Sequence, residues 1–90
     1  MQTNNKITYT VAPMTDADCR NHGVQSEDYA PDSLMLATFS DGQAFWFVKC
    51  ADGQFIGVAI FDKLFTNEAE CLRWIRSEMM GDESEVTRSI

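Results

Sequence analysis

Between residues 34 and 61, apolar positions come in three runs, LMLATFS, QAFWFVKC and QFIGVAIF, broken by Asp41-Gly42 and by Ala51-Asp52-Gly53. Runs of this length, rich in aromatic and β-branched residues, read as strands. Asp-Gly between them reads as a tight hairpin turn, because glycine takes the positive φ that such a turn needs. The segment is predicted to form an antiparallel meander. Treating each Asp-Gly as a two-residue turn sets Ala37 opposite Trp46, Leu36 opposite Phe47, Trp46 opposite Ala59 and Phe47 opposite Val58. One face then carries Leu34, Leu36, Phe45, Phe47, Ile56, Val58 and Ile60. The other carries Met35, Ala37, Phe39, Ala44, Trp46, Val48, Phe55, Gly57, Ala59 and Phe61. Both faces are apolar, whereas an antiparallel sheet with one wet face shows polar alternation. Each face needs a cover.

The flanking segments supply candidates. Residues 6–12 alternate, with Ile7, Tyr9 and Val11 on one side and Thr8 and Thr10 on the other, as a half-buried strand does. It is expected at an edge of the meander and ends at Pro13, which cannot donate to a ladder. Residues 14–33 show little periodicity and much turn chemistry. Thr15 or Asp16 caps a short helical turn through Arg20, closed by Gly23. A connector this long in so small a domain is a lid on the core or a functional segment. After the meander, Thr66 or Asn67 is an N-cap, Glu68 and Glu70 suit the first turn, and Gly81 closes a helix. At helical spacing Cys71, Leu72, Trp74, Ile75 and Met79 share a stripe, with Glu70, Arg73, Arg76 and Ser77 opposite. This helix is expected on the Leu36/Phe47/Val58 face. On the other face Trp46, flanked by Ala37, Ala59 and Gly57, makes a socket or platform that residues 14–33, a second copy or another protein covers.

The predicted class is α+β: an antiparallel three- to four-stranded sheet with a C-terminal helix packed on one face. One domain spans residues 1–80, and residues 81–90, with Asp82, Glu83 and Glu85 among serines, form an acidic flexible tail. The formal net charge of −7 changes the functional picture, because it repels nucleic acid and anionic membrane and favours basic partners. Three cysteines, Cys19, Cys50 and Cys71, are an odd and sparse set that suits a reducing compartment. The N-terminus lacks a secretory pattern, and the longest apolar run, residues 55–61, is too short for a helical membrane span. A cytoplasmic protein is expected.

Chemistry finds little purchase. Cys19 and His22 stand at C-x-x-H spacing beside Asp16 and Asp18, but a tetrahedral zinc site needs four ligands, and Cys50 and Cys71 read as core thiols. The same pair lacks an orienting third group for nucleophilic catalysis. No carboxylate interrupts an apolar run, and Gly42, Gly53 and Gly57 belong to hairpins and a strand. No metal, cofactor or enzymatic activity is expected. The element order is similar to that of double-stranded-RNA-binding domains, but the start of the last helix, Phe65-Thr66-Asn67-Glu68-Ala69-Glu70, is acidic where that family presents lysines.

A binding module remains. Asp16, Asp18, Glu27, Asp28 and Asp32, with Tyr29 among them, are the candidate partner-binding residues, and Trp46, Phe39 and Phe55 a candidate apolar interface. Glu78, Asp82, Glu83 and Glu85 form a second acidic group. Spaced carboxylates on a rigid domain occupy a groove built for phosphates by engaging the same lysines and arginines. An acidic meander followed by the helix pattern Thr66/Glu68/Leu72/Trp74/Ile75, within FDKLFTNEAECLRWIRSEM, resembles several small phage-encoded anti-CRISPR proteins. The resemblance implies an inhibitor that binds a CRISPR–Cas effector in the host cytoplasm and blocks DNA access. Alternatives are an immunity or antitoxin-like protein neutralising a basic toxin, and a homodimer- or oligomer-forming phage or plasmid protein using the Trp46 face.

Overall fold

A computed structural model describes residues 6–57 and 63–89. The chain runs β1 (Lys6–Pro13), α1 (Asp16–His22), a 3₁₀ turn (Ser26–Asp28), β2 (Leu34–Phe39), β3 (Ala44–Lys49), β4 (Phe55–Gly57), β5 (Lys63–Phe65), α2 (Glu68–Met80) and β6 (Glu85–Arg88). The strands form one six-stranded sheet in the order β5-β4-β3-β2-β1-β6. The class is α+β, as expected, but the sheet is larger than three or four strands and is mixed, because β6 pairs parallel to β1.

Two corrections follow from β6. Residues 85–88 form a strand where a flexible tail was expected, with Ile7 opposite Val86 and Tyr9 opposite Arg88. Strand β1 is interior, flanked by β2 and β6. The physical cause is the open ladder that β1 presents: pairing satisfies its outward backbone groups, and Val86 buries beside Ile7. Strand β5 was also unforeseen; it pairs β4 with Phe55 opposite Phe65 and Ile56 opposite Leu64. Residues Val58, Ala59, Ile60 and Phe61, expected to continue the third strand, lie outside the described residues.

The meander exists, but its register differs by one residue at both hairpins. Leu36 faces Trp46, Ala37 faces Phe45 and Met35 faces Phe47; Val48 faces Ile56. Each loop holds three residues, not two. Phe39 N–H donates to Gln43 O at 2.7 Å and Gly42 N–H to Phe39 O at 2.9 Å, and Cys50, Gln54 and Gly53 repeat the pattern. Gly42 and Gly53 have φ of 94° and 86°, the positive-φ closing residue of a three-residue loop. Asp41 and Asp52 each accept the N–H two residues on, at 3.0 Å, an Asx turn that stabilises this loop. A one-residue slip re-sorts the strands onto different faces. Trp46 and Phe47 still point oppositely, but Leu34 and Leu36 now lie with Trp46 and Val48, while Met35, Ala37 and Phe39 lie with Phe45 and Phe47.

The second set forms the main core, with Ile7, Tyr9 and Val86 on the sheet and Cys71, Leu72 and Ile75 on α2. Burial of each large apolar side chain here stabilises by about 1.5–3 kcal/mol. Helix α2 begins as predicted at Asn67, whose side chain accepts from Glu70 N–H, and ends at Gly81 in the left-handed region. Gly57 is buried beneath α2: a Cβ there would stand 2.7 Å from Cζ3 of Trp74. The small residue expected beside Trp46 instead makes room for the other tryptophan. Of the remaining apolar positions, Leu34, Val48, Trp46 and Ile56 are met from the opposite face by Met14, Cys19, Val24 and Tyr29. Residues 14–33 therefore act as a lid. Among the described residues no helix is long and apolar enough to cross a membrane.

Candidate functional site

The lid owes its shape to local signals. Thr15 Oγ1 accepts from Asp18 N–H at 3.1 Å while Asp18 Oδ2 accepts from Thr15 N–H at 3.0 Å, a reciprocal cap that starts α1. Gly23, at φ 69°, stops it. Cys19 turns inward and is buried with Leu34 and Val48. Asp32, at φ 64°, adopts the left-handed conformation that aspartate tolerates in turns. Ser33 Oγ donates to Ala30 O at 2.6 Å, and Ser33 O accepts from Lys49 N–H at 2.8 Å, which joins the lid to β3.

These constraints decide which acidic side chains are free to meet a partner. Asp16, Glu27, Asp28 and Asp32 are exposed, whereas Asp18 is half-buried and engaged in the α1 cap. Asp16 and Asp32 line one shallow cavity of about 130 Å³ with Pro13, Ser26, Ala30 and Leu34. Glu27 and Asp28 sit on the 3₁₀ turn immediately before Tyr29. The Tyr29 ring meets Trp46 edge-on, with centroids 5.9 Å apart and planes at 80°. Both rings are half-buried. The fold thus brings Asp16 and Asp32 to one cavity and leaves Glu27 and Asp28 exposed on the turn that leads into Tyr29.

The other two aromatic candidates are corrected. Phe39 is 2% exposed in the core under α2, and Phe55 packs against Phe47 on that same side, centroids 6.0 Å apart. The register slip is the reason: odd-numbered residues of β2, β3 and β4 face α2. The C-terminal acidic group also divides. Asp82 binds the Arg76 guanidinium and accepts from Ser84 Oγ at 2.6 Å. The Ser84 and Arg76 hydrogen bonds hold its carboxyl down to about 2.

Arg76, expected on the outer side of α2, is 1% exposed. It stands only about 40° beyond Leu72 on the helix, and its charge is met on several sides. Its Nη2 lies 2.9 Å from Asp41 Oδ2 of the β2–β3 loop, and its guanidinium lies over Phe39, 4.7 Å from the centroid. Burial opposes its charge, but the hydrogen bonds it donates to Asp41 and Asp82 outweigh that and raise its pKa; Asp41 is lowered in return. Arg76 therefore ties hairpin, helix end and C-terminal segment together. Nearby, Tyr9 Oη donates to Glu68 Oε1 at 2.8 Å, and burial pushes the Cys71 thiol up to about 12, which keeps it protonated and unreactive at neutral pH.

His22 lies in the last turn of α1 and is exposed, while Cys19 faces the interior. Among the described residues no three His, Cys, Asp or Glu side chains gather in a way that could hold a metal ion. The three cysteines are unpaired thiols. No protein-family profile, curated protein or solved structure matches the chain.

Proposed function

We propose that the protein is a non-catalytic cytoplasmic inhibitor that binds a basic, nucleic-acid-handling protein complex. A CRISPR–Cas effector is the leading candidate target, as the resemblance to anti-CRISPR proteins implies. The observation that carries this reading is that Asp16, Glu27, Asp28 and Asp32 are all exposed on the lid segment whose Tyr29 packs edge-on against the half-buried Trp46. Carboxylates held on a hydrogen-bonded lid lose little freedom on binding, and an aromatic pair beside them gives apolar area for an anchor. Their negative field steers a basic partner and competes with phosphate for the same lysines and arginines.

The test is pull-down with purified CRISPR effectors, followed by competition with target DNA at 50 and at about 300 mM salt, where screening weakens exposed charge pairs. Binding is expected to weaken with salt, to exclude DNA, and to fall in the Asp16→Asn/Glu27→Gln/Asp28→Asn/Asp32→Asn variant. Binding indifferent to salt and to these substitutions would remove the electrostatic reading.

A further inference from the structure

A second recognition feature lies on the opposite side of the sheet, between β5 and α2. A groove of about 320 Å³ is lined by Phe65, Trp74, Glu70, Arg73, Ser77 and Glu83. Its aromatic floor is built: Phe65 and Trp74 stand 5.6 Å apart, tilted by 47°, and Trp74 is seated on the bare backbone of Gly57. The protein's own Lys63 ammonium already lies over both rings, 5.4 Å from the Phe65 centroid and 5.8 Å from that of Trp74. These distances are within the range at which an aromatic face attracts a cation. Lys63 is exposed and forms no ion pair among the described residues, so the rings hold it without a fixed carboxylate.

We propose that this groove receives an arginine side chain from a basic protein partner, with Lys63 as the internal occupant that it displaces. The guanidinium is the better ligand for two tilted rings, because it is planar, weakly hydrated and stacks, whereas an ammonium is a compact hydrated charge. Glu70 and Glu83 at the rim supply the complementary charge. Arg73, which also lines the groove, offsets part of that negative charge. The groove stands independently of the lid, sharing with the proposed function only the basic character of the partner.

The experiment uses the full chain in a Trp46→Phe background, so that Trp74 is the one tryptophan reporting. Hexa-arginine and hexa-lysine peptides are titrated while Trp74 fluorescence is followed. Saturable quenching is expected, tighter for hexa-arginine. Lys63→Ala is expected to tighten hexa-arginine binding about two- to fivefold by removing the competitor, the size of an exposed cation–π contact. Glu70→Gln/Glu83→Gln is expected to weaken it about two- to fivefold. Both variants lie at the surface and keep the core, so neither outcome depends on tolerating loss of Trp74. Glu27→Gln/Asp28→Asn/Asp32→Asn on the lid is expected to leave the Trp74 response unchanged. Unchanged or weaker binding in Lys63→Ala overturns the proposal, as does loss of the response in the lid variant. Failure of the CRISPR-effector pull-down alone removes the proposed function and leaves the groove standing.

Discussion

The two faces of one sheet are finished to different standards. Under α2, Ala37, Phe47, Cys71, Leu72 and Ile75 are wholly buried, and a guanidinium is enclosed with them. Under the lid, Cys19, Leu34 and Val48 are the buried apolar residues among the described residues, and Trp46, Tyr29 and Ile56 remain half-open. The α2 face is closed by a regular element with a broad apolar stripe, while the lid has one short helix, a 3₁₀ turn and turns held by hydrogen bonds. A sheet apolar on both sides thus gains its stability on one side and keeps contactable aromatic surface on the other. Separation of this kind lets a small domain bind without unmaking its core.

The comparison breaks most sharply at neighbouring positions on β3. Phe47→Ala is expected to destabilise by about 3–5 kcal/mol in urea unfolding, since it leaves a cavity beneath α2. Gly57→Ala comes next, at about 1–3 kcal/mol, because its methyl must push against the Trp74 ring. Its fluorescence in the Trp46→Phe background should shift with the displaced ring. Trp46→Ala is expected to cost about 1–2 kcal/mol, a fraction of full burial, with the fold retained and partner binding lost. Equal losses at Trp46 and Phe47 would erase the distinction between the faces.

The pH profile sharpens the same contrast. Asp82, through its Ser84 and Arg76 hydrogen bonds, and Asp41, through Arg76, have carboxyls held below their ordinary range. Their folded state therefore favours the charged form, and the stability they add is present above about pH 4. It is lost as pH falls toward the Asp82 value of about 2. Cys71 has the opposite sign: its thiol is raised from 9.0 to about 12, so its contribution is intact below pH 9 and lost as pH climbs through that interval. Thermal melts between pH 2 and 11 should show both limbs, with Asp82→Asn weakening the acid limb and Cys71→Ala weakening the alkaline one, to which Tyr9, also raised by burial, adds. The smallest effect belongs to the lid: Glu27→Gln, Asp28→Asn and Asp32→Asn should each move stability by less than about 0.5 kcal/mol.

Much of the site was legible because its cues are local. Thr15, Gly23, Asn67 and Gly81 mark helix ends through bonds made within a few residues, and α1 and α2 begin and end where those residues stand, whereas the part of Asp18 in the α1 cap came only with the structure. Four acidic residues of the lid are exposed, as polar residues in turns and at helix starts usually are. Phe39 and Phe55 were misassigned because Asp-Gly is compatible with a loop of two residues or three, and that single residue decides which side chains point at α2.

By itself, then, the sequence determined the alternation of strands, the caps of both helices, the apolar character of both sheet faces and the excess of negative charge. These depend on backbone preference and composition, which short stretches express alone. Tertiary structure decided the register, the recruitment of residues 85–88 as a parallel strand, and the burial of Arg76. Each rests on partners distant in the chain. Asp41 lies 35 residues from Arg76, and β6 pairs with β1 at the other end of the chain; only folding brings such groups within hydrogen-bonding distance.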